Sequence, residues 1–591
     1  MVKHYSNKCY FDIETDGLDA TKVHCICAML DHEATVYNFI GDKPYIEFKE
    51  WLEIEGVDTL VAHNGIGFDI PVLERLSATS YDAFNIEDTL VLSRLANPSL
   101  EGGHSLKNWG VILGNQKGDY GDGVAKGVDI WAHYNTEMLK YCQQDVRLLK
   151  DVYKRLSIQL QDFSEYSIEL EHKVAEIILH QQQTGVLFDE RKGYELLAEL
   201  KERVHEIVLE VREVFTPLPV WKDLTVLKNP YRKDGTPSLA YQKQLDRGAH
   251  HRDGDWGYID YPEFNLGSRQ QVSRYLQHFG WTPTEWTDKG SVIVNEKVLS
   301  GVDIPEAKMI LEYFTISKRV SMVKSWLEAV ADDGRIHGRV NSNGAVTGRM
   351  THSKPNLAQV PAIYSPYGEE CRELWIVPEG KCLVGIDASG LELRMLAHYM
   401  NDKDYTEEIL NGDIHTANQM AAGLQSRDQA KTFIYAFLYG GGDGKIGEII
   451  GGKAKDGKRL KAKFLDNTPA LRTLRGEVDR GSTKGWLRGL DGRRLHIRSS
   501  HSALNVLLQS AGAIIMKQAL VLLEKFATSY KIDYKFVLNI HDEFQVEVKE
   551  DQADWFGGLA VDCIIRAGQD FKLNCPMDGE YKVGKTWAQT H

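Results

Sequence analysis

The chain is short of cysteine, of long apolar runs and of net positive charge, and each shortage excludes something. Eight cysteines are scattered over 591 residues, with only Cys25 and Cys27 close together and no paired C-x-x-C. That excludes a zinc or disulfide framework and points to a reducing compartment, the cytoplasm. No run approaches the roughly 18 apolar residues of a membrane span. Met1 to Asp12 forms a short polar lead into a strand, without the apolar core of a signal peptide. The formal net charge of −14 argues, by itself, against a nucleic-acid binder.

The residues that are present shift that balance. An apolar content of 42% and a charged content of 26% describe an ordinary soluble protein, and the length implies several domains with ample cores. The charge is uneven. Between Lys445 and Arg494 stand fourteen Lys and Arg, including Lys453, Lys455, Lys458, Arg459, Lys461 and Lys463. Such a segment can supply a local track for phosphates while acidic outer faces set the total, although a solvated helix surface accounts for some of it.

The chain opens with Y-F-D-I-E-T-D-G-L and then T-K-V-H-C-I-C-A-M-L, a hairpin pattern with its turn at Asp16-Gly17. Asp12 and Glu14 alternate with apolar neighbours, so both carboxylates project from one side of a strand. Adjacent carboxylates repel unless a cation or solvent relieves them, and both remain open at this point. V-A-H-N-G-I-G-F-D-I carries Asn64 and Asp69, and Y-C-Q-Q-D sets Tyr141 and Asp145 at i and i+4 on a helix face. His104 and Asp119 match no pattern and read as surface residues. An amphipathic helix closes at Gly185, and a second runs from Glu190 to about Phe215. From Pro217 to Glu263 Pro, Gly, aromatic and basic residues mix, which reads as a loop-rich insertion too long for a connection.

R-D-Q-A-K-T-F-I-Y-A-F-L-Y-G-G-G (427–442) is helical up to its closing glycines. Arg427, Lys431, Tyr435 and Tyr439 recur every four residues, so they form one slowly turning stripe. Two cations and two rings suit a nucleoside triphosphate, but spacing alone favours an amphipathic helix with an aromatic edge. Upstream, V-G-I-D-A-S is an apolar strand ending in Asp387 with Glu392 on the following helix. Downstream, H-D-E-F-Q-V-E-V puts Asp542 and Glu543 at a hairpin turn.

These three stretches, in this order, resemble the three polymerase motifs of the family A, polymerase I-like DNA polymerases, above all the replicative enzymes of T-odd bacteriophages. The resemblance covers nearly the whole chain. It implies an α/β multidomain fold, an RNase H-like 3′–5′ exonuclease domain (1–155) followed by a right-hand polymerase domain. The thumb would span 156–345 with the insertion at about 217–263, the palm 346–410 and 531–591, and the fingers 411–530. The implied activity is template-directed, primer-dependent DNA synthesis from dNTPs with proofreading, in phage replication. Neither a repair nuclease that merely grips DNA nor an RNA polymerase fits as well. Asp387, Lys431, Tyr435 and Asp542 oppose the first, and Glu392 with the exonuclease acids the second. The absence of a 5′-nuclease domain before residue 1 favours a phage enzyme, and K-V-G-K-T-W-A-Q-T-H matches the family's end.

The resemblance also assigns residues. Asp12, Glu14, Asp69 and Asp145 would hold two divalent metals in the exonuclease, with Tyr141 orienting the attacking water. Asp387 and Asp542 would bridge two Mg2+ ions, for which Mn2+ can substitute, with Glu543 an outer ligand. Arg427, Lys431 and His415 would meet the triphosphate, with Lys431 a proton donor to the leaving group. Tyr435 would stack near sugar and base, with Tyr439 on the same stripe, and Glu392 would exclude a ribose 2′-hydroxyl. Arg349 and Asn356 would lie in the primer–template track. His501, Asn505 and Gln509, four apart, would read minor-groove acceptors. Implied partners are primer–template DNA, dNTPs, a helicase–primase and a processivity factor such as host thioredoxin at the insertion.

Overall fold

The computed structural model describes residues 7–118, 120–121 and 129–591, so Asp119 and the first part of the polar lead lie outside the described residues. The chain divides into two compact units. The first comprises residues 1–188, 331–360 and 375–591, and the second 189–330 and 361–374.

The first unit holds two functional sheets. Strands β1 (Lys8–Thr15), β2 (Val23–Leu30), β3 (Tyr37–Ile40), β4 (Thr59–Ala62) and β5 (Asn85–Asp88) pair in the order β3-β2-β1-β4-β5. β1 runs antiparallel to β2 and parallel to β4. Its Phe11 and Ile13 face a core of Phe39, Phe48 and Leu60, while Asp12 and Glu14 take the opposite face. Helix α1 (Asp69–Ser77) follows β4, and α2 (Thr136–Gln159) packs across β1 and β2.

The second sheet is antiparallel throughout. β6 (Lys381–Ala388) lies between β8 (Glu543–Lys549) and β9 (Gly579–Gly584), with β7 (Tyr534–Ile540) outside β8. Residues of α4 (Leu391–Met400), α5 (Arg427–Leu438), α6 (Ser500–Ser529) and α7 (Ala553–Asp570) share one apolar core with this sheet. α6 is long and apolar enough to cross a membrane, contrary to the expectation that no such run exists. Yet 83% of that window is buried inside the protein, so its apolarity serves packing.

Helix α3 (Glu165–Thr184) packs against α6 and β7, and the second unit begins at Asp189. A division at 530 falls immediately after α6, whose apolar face packs on α4 and α7 within the same unit.

In the second unit, helices Glu190–Val214 and Pro305–Leu327 pack together, with Arg203 bridging Glu206, Glu210 and Glu312. The 217–263 insertion, though more than half loop, is built around a small fold. Its strands Val220–Asp223, Asp255–Asp260 and His250–Arg252 form a sheet beside helix Leu239–Asp246. The aromatics supply its small core: Trp256 is buried, stacks on Tyr241 at 5.7 Å and donates to Gln244.

Candidate active sites

The first site is built on β1. Asp12 and Glu14 stand two residues apart on the face covered by α2, which contributes Tyr141 and Asp145. Asp69 starts α1, reached through the His63–Phe68 turn. Asp88 shapes that turn by accepting from the backbone N–H of Asn64 at 2.9 Å and of Ile66 at 3.1 Å. The structure thus brings all four predicted acids and Tyr141 into one neighbourhood, although they span more than 130 positions of the chain.

Gathering these acids is electrostatically costly. Burial, then the charges of Asp145 and Asp69, pushes Asp12 well above the usual carboxylate range. Burial, reinforced by Asp12 and Asp145, raises Glu14 to about 10. Burial and Asp88 raise Asp69 to about 7, and burial opposed by Lys117 brings Asp145 to about 6. A divalent cation fits this donor set. Asp12, Glu14 and Cys142 offer ligand atoms within 4.8 Å of one another, and the buried Oδ1 of Asp145 has no hydrogen-bond partner.

Sequence reasoning missed Lys117, whose Nζ lies 2.5 Å from Asp145 Oδ2 and 4.7 Å from the centre of the Tyr141 ring. It also misjudged His104. That ring is half-buried, lies 2.8 Å from Ser93 Oγ, and lines a cavity of about 670 Å³ with His63, Arg94, Lys117, Tyr120 and Tyr141. Nothing local in the sequence marks either residue, because both act through contacts between loops.

The second site is built on β6. Asp387 pairs across the ladder with Glu543 on β8 and with Glu580 on β9, so three carboxylates share one face of the sheet. Asp542 occupies the β7–β8 turn, and its carbonyl accepts from the Ala388 N–H at 3.2 Å. Burial, then Asp542 and Glu543, raises Asp387 to about 7. Burial and the Glu392 charge raise Asp542. Glu543 differs. Burial pushes it up, but hydrogen bonds from His591, Gln545 and Trp587 outweigh burial and hold it low. Trp587 Nε1 donates to it at 2.6 Å, and His591 Nδ1 lies 3.0 Å away. Glu580, Trp587 and His591 were also missed. For Glu580 the only signal was the alternation in G-E-Y-K-V, which without the pairing partner has no address, and the stretch K-V-G-K-T-W-A-Q-T-H gives no local sign that Trp587 and His591 meet Glu543.

The α5 stripe lies on the helix's open face. Arg427, Lys431 and Tyr439 are exposed and Tyr435 half-buried, while Ala430, Phe433, Ile434 and Phe437 are in the core. Ser426 caps the helix, which ends at Leu438 rather than at the glycines. Arg427 Nε donates to Asp413 at 2.7 Å, and Asp413 caps the helix bearing His415. The His415 and Tyr435 rings lie 6.3 Å apart, and Tyr435 and Tyr439 6.2 Å. The Tyr439 hydroxyl donates to Glu392 at 3.3 Å, and Glu392 also accepts from Arg349 at 2.9 Å. Arg349 therefore has an intramolecular anion, three-quarters or more withdrawn from solvent rather than on the surface. His501, Asn505 and Gln509 form the solvent-reachable stripe of α6, and Asn356 holds an unpartnered buried Oδ1 before the Leu357–Gln359 turn.

Comparison with known proteins decides what these sites belong to. The family description DNA polymerase family A matches residues 241–589. Over 98% of its length the chain is 35% identical to the DNA-directed DNA polymerase of Enterobacteria phage T3, covering 99% of that protein, and equally so to that of Escherichia phage T7. The chain belongs to DNA polymerase family A. It is a DNA-directed DNA polymerase, and its residues 9–157 match the RNase H superfamily, as a 3′–5′ exonuclease domain requires. The POL domain of Pol1 from M. smegmatis, in complex with DNA primer-template and dNTP, shares the fold. The TM-score is 0.77 at 18% identity, over 99% of this chain and 96% of that one. The expected architecture, an RNase H-like domain followed by a right-hand polymerase, is therefore present. Family A polymerases and RNase H-like domains use divalent metals, which suits both acid clusters.

Proposed function

We propose that this family A polymerase extends primers at the second sheet and proofreads at the first, each site using two Mg2+ ions. The observation that carries the reading is the convergence of Asp387, Asp542 and Glu543 beside the Tyr435–Glu392 end of the α5 stripe. When bound, the metals would activate the primer 3′-hydroxyl or a water and stabilise the departing oxygen. Asp387 and Asp542 would hold these ions. Glu543, already engaged by three donors, is at most an outer ligand.

Arg427 and Lys431 neutralise the β- and γ-phosphates, and Lys431 protonates the departing pyrophosphate. His415 makes a further phosphate contact. Tyr435 and Tyr439 flank base and sugar, and Glu392, held by Arg349 and Tyr439, occupies the place a 2′-hydroxyl would need. Asn356, His501, Asn505 and Gln509 follow the duplex, with Arg349 joining them if it exchanges Glu392 for DNA. In the nuclease, Asp12, Glu14, Asp69 and Asp145 would hold the metals, and Tyr141 would orient the water. The folded insertion at 217–263 is the place for a processivity partner such as thioredoxin. The setting is phage replication in a bacterial cytoplasm beside a helicase–primase. Paired variants test the division of labour: Asp542→Ala should abolish extension and spare digestion, and Asp145→Ala the reverse. Loss of both activities in either variant would contradict it.

A further inference from the structure

The four nuclease acids are crowded, Asp12 half-buried and the other three buried, yet among the described residues only one cation is paired with any of them: Lys117, on Asp145. Its side chain is 21% exposed, and its Nζ also lies over the Tyr141 ring, 4.7 Å from the ring centre. One ammonium thus joins a predicted metal ligand to the predicted water-orienting tyrosine. Its charge also acts on Asp12, Glu14 and Asp69. The Tyr120 and Trp131 rings pack on Tyr141 at 5.7 and 6.3 Å, so the segment carrying Lys117 is held against α2 by contacts of its own.

Lys117 also lines the 670 Å³ cavity beside the acids, whose wall carries Arg94, His63, His104 and Lys107. Arg94, Lys107 and Lys117 are the cations of that wall, and Lys117 alone of them also meets the acid cluster. A bound strand would have its backbone along the cationic wall and its scissile phosphate at the acids.

From this position we infer that Lys117 is a further catalytic residue of the nuclease, a fixed cation that contacts the scissile phosphate while holding Asp145 and Tyr141 in place. The inference rests on the proofreading reading of this site. In the step it would serve, a water oxygen bonds to phosphorus and the P–O3′ bond breaks. The attacking water gives up a proton and the 3′-oxygen gains one, releasing a 5′-mononucleotide. Negative charge grows on the phosphate oxygens as this happens, and a pre-placed ammonium stabilises that growth without reorganisation. A merely structural lysine would neutralise Asp145 and do no more.

Lys117→Met and Lys117→Arg separate the two roles. Single-stranded DNA digestion with Mg2+ is followed for kcat and KM, Mn2+ binding is titrated by electron paramagnetic resonance, and primer extension reports folding. Lys117→Met is expected to lower nuclease kcat by about 100-fold with KM nearly unchanged. Mn2+ affinity should be kept or tightened, because Asp145 loses its competing cation, and extension should be intact. Lys117→Arg should recover most of the rate. A Lys117→Met rate within about twofold of the parent would overturn the inference, as would rate and Mn2+ affinity lost together. If the unmutated chain digests nothing while still binding Mn2+, the proofreading reading fails, and the role of Lys117 falls with it.

Discussion

At the residue scale both sites rest on carboxylates that the fold holds in an unfavourable state until a cation arrives. Asp69, Asp145 and Asp387 have been raised to about 7, 6 and 7, mainly by burial. Between about pH 4 and pH 7 the unfolded chain has released these protons while the metal-free folded chain keeps them. Stability of the metal-free protein should therefore fall as pH rises through that window, and Mg2+ should restore it most near and above neutrality. Thermal melting in chelator and in Mg2+ across this range checks the sign; a chelator curve that rises with pH would oppose it. Tyr435 is the other residue-level test. Its phenol can occupy the space left by a missing 3′-hydroxyl, so Tyr435→Phe should sharply reduce dideoxynucleotide incorporation relative to dNTP, as read in a termination assay. Unchanged termination would remove that role.

At the scale of elements, β6 depends on one glycine. A Cβ on Gly385 would stand 2.2 Å from the Thr590 carbonyl oxygen and 2.5 Å from Gln545 Nε2, so only glycine admits the segment that brings Trp587 and His591 to Glu543. Gly385→Ala should cost about 1–3 kcal/mol by overpacking and weaken extension while sparing the nuclease. Denaturation and the two activities together check this. This element also marks the limit of what was legible. The strand ending in Asp387, the Asp542–Glu543 turn, the α5 stripe and the pair on β1 were readable because their signals lie within ten or so residues. Glu580, His591 and Lys117 were not, since each acquires meaning only when a distant strand or loop docks beside it. The insertion is a mixed case: its composition reads as loop, as most of it is, yet Trp256, Tyr241 and Gln244 find one another across fifteen residues and build a small core.

At the scale of the molecule, α3, which follows the nuclease domain in the chain, is tied to the polymerase part of the first unit by a buried charge network. Glu171 of α3 accepts from Lys517 of α6 at 2.6 Å and pairs with Arg493 at 2.7 Å, and Arg493 also binds Asp491 at 2.6 Å. All four residues are at most 5% exposed. Breaking such a network strands charges away from water, so Glu171→Gln should destabilise by about 3–5 kcal/mol, seen as a lowered denaturation midpoint. A variant as stable as the parent would show that the network contributes little. Near it, Arg494 pairs with Asp162 and His496 lies 2.9 Å from the Ala96 carbonyl, contacts that place the two catalytic sheets in one body.

The most direct test of the central claim follows both sites in one experiment: a 5′-labelled primer on a longer template, with Mg2+, with and without dNTPs. Full extension with nucleotides and shortening without them is the expected result. Shortening in both lanes would mean that the second sheet does not polymerise and would contradict the account.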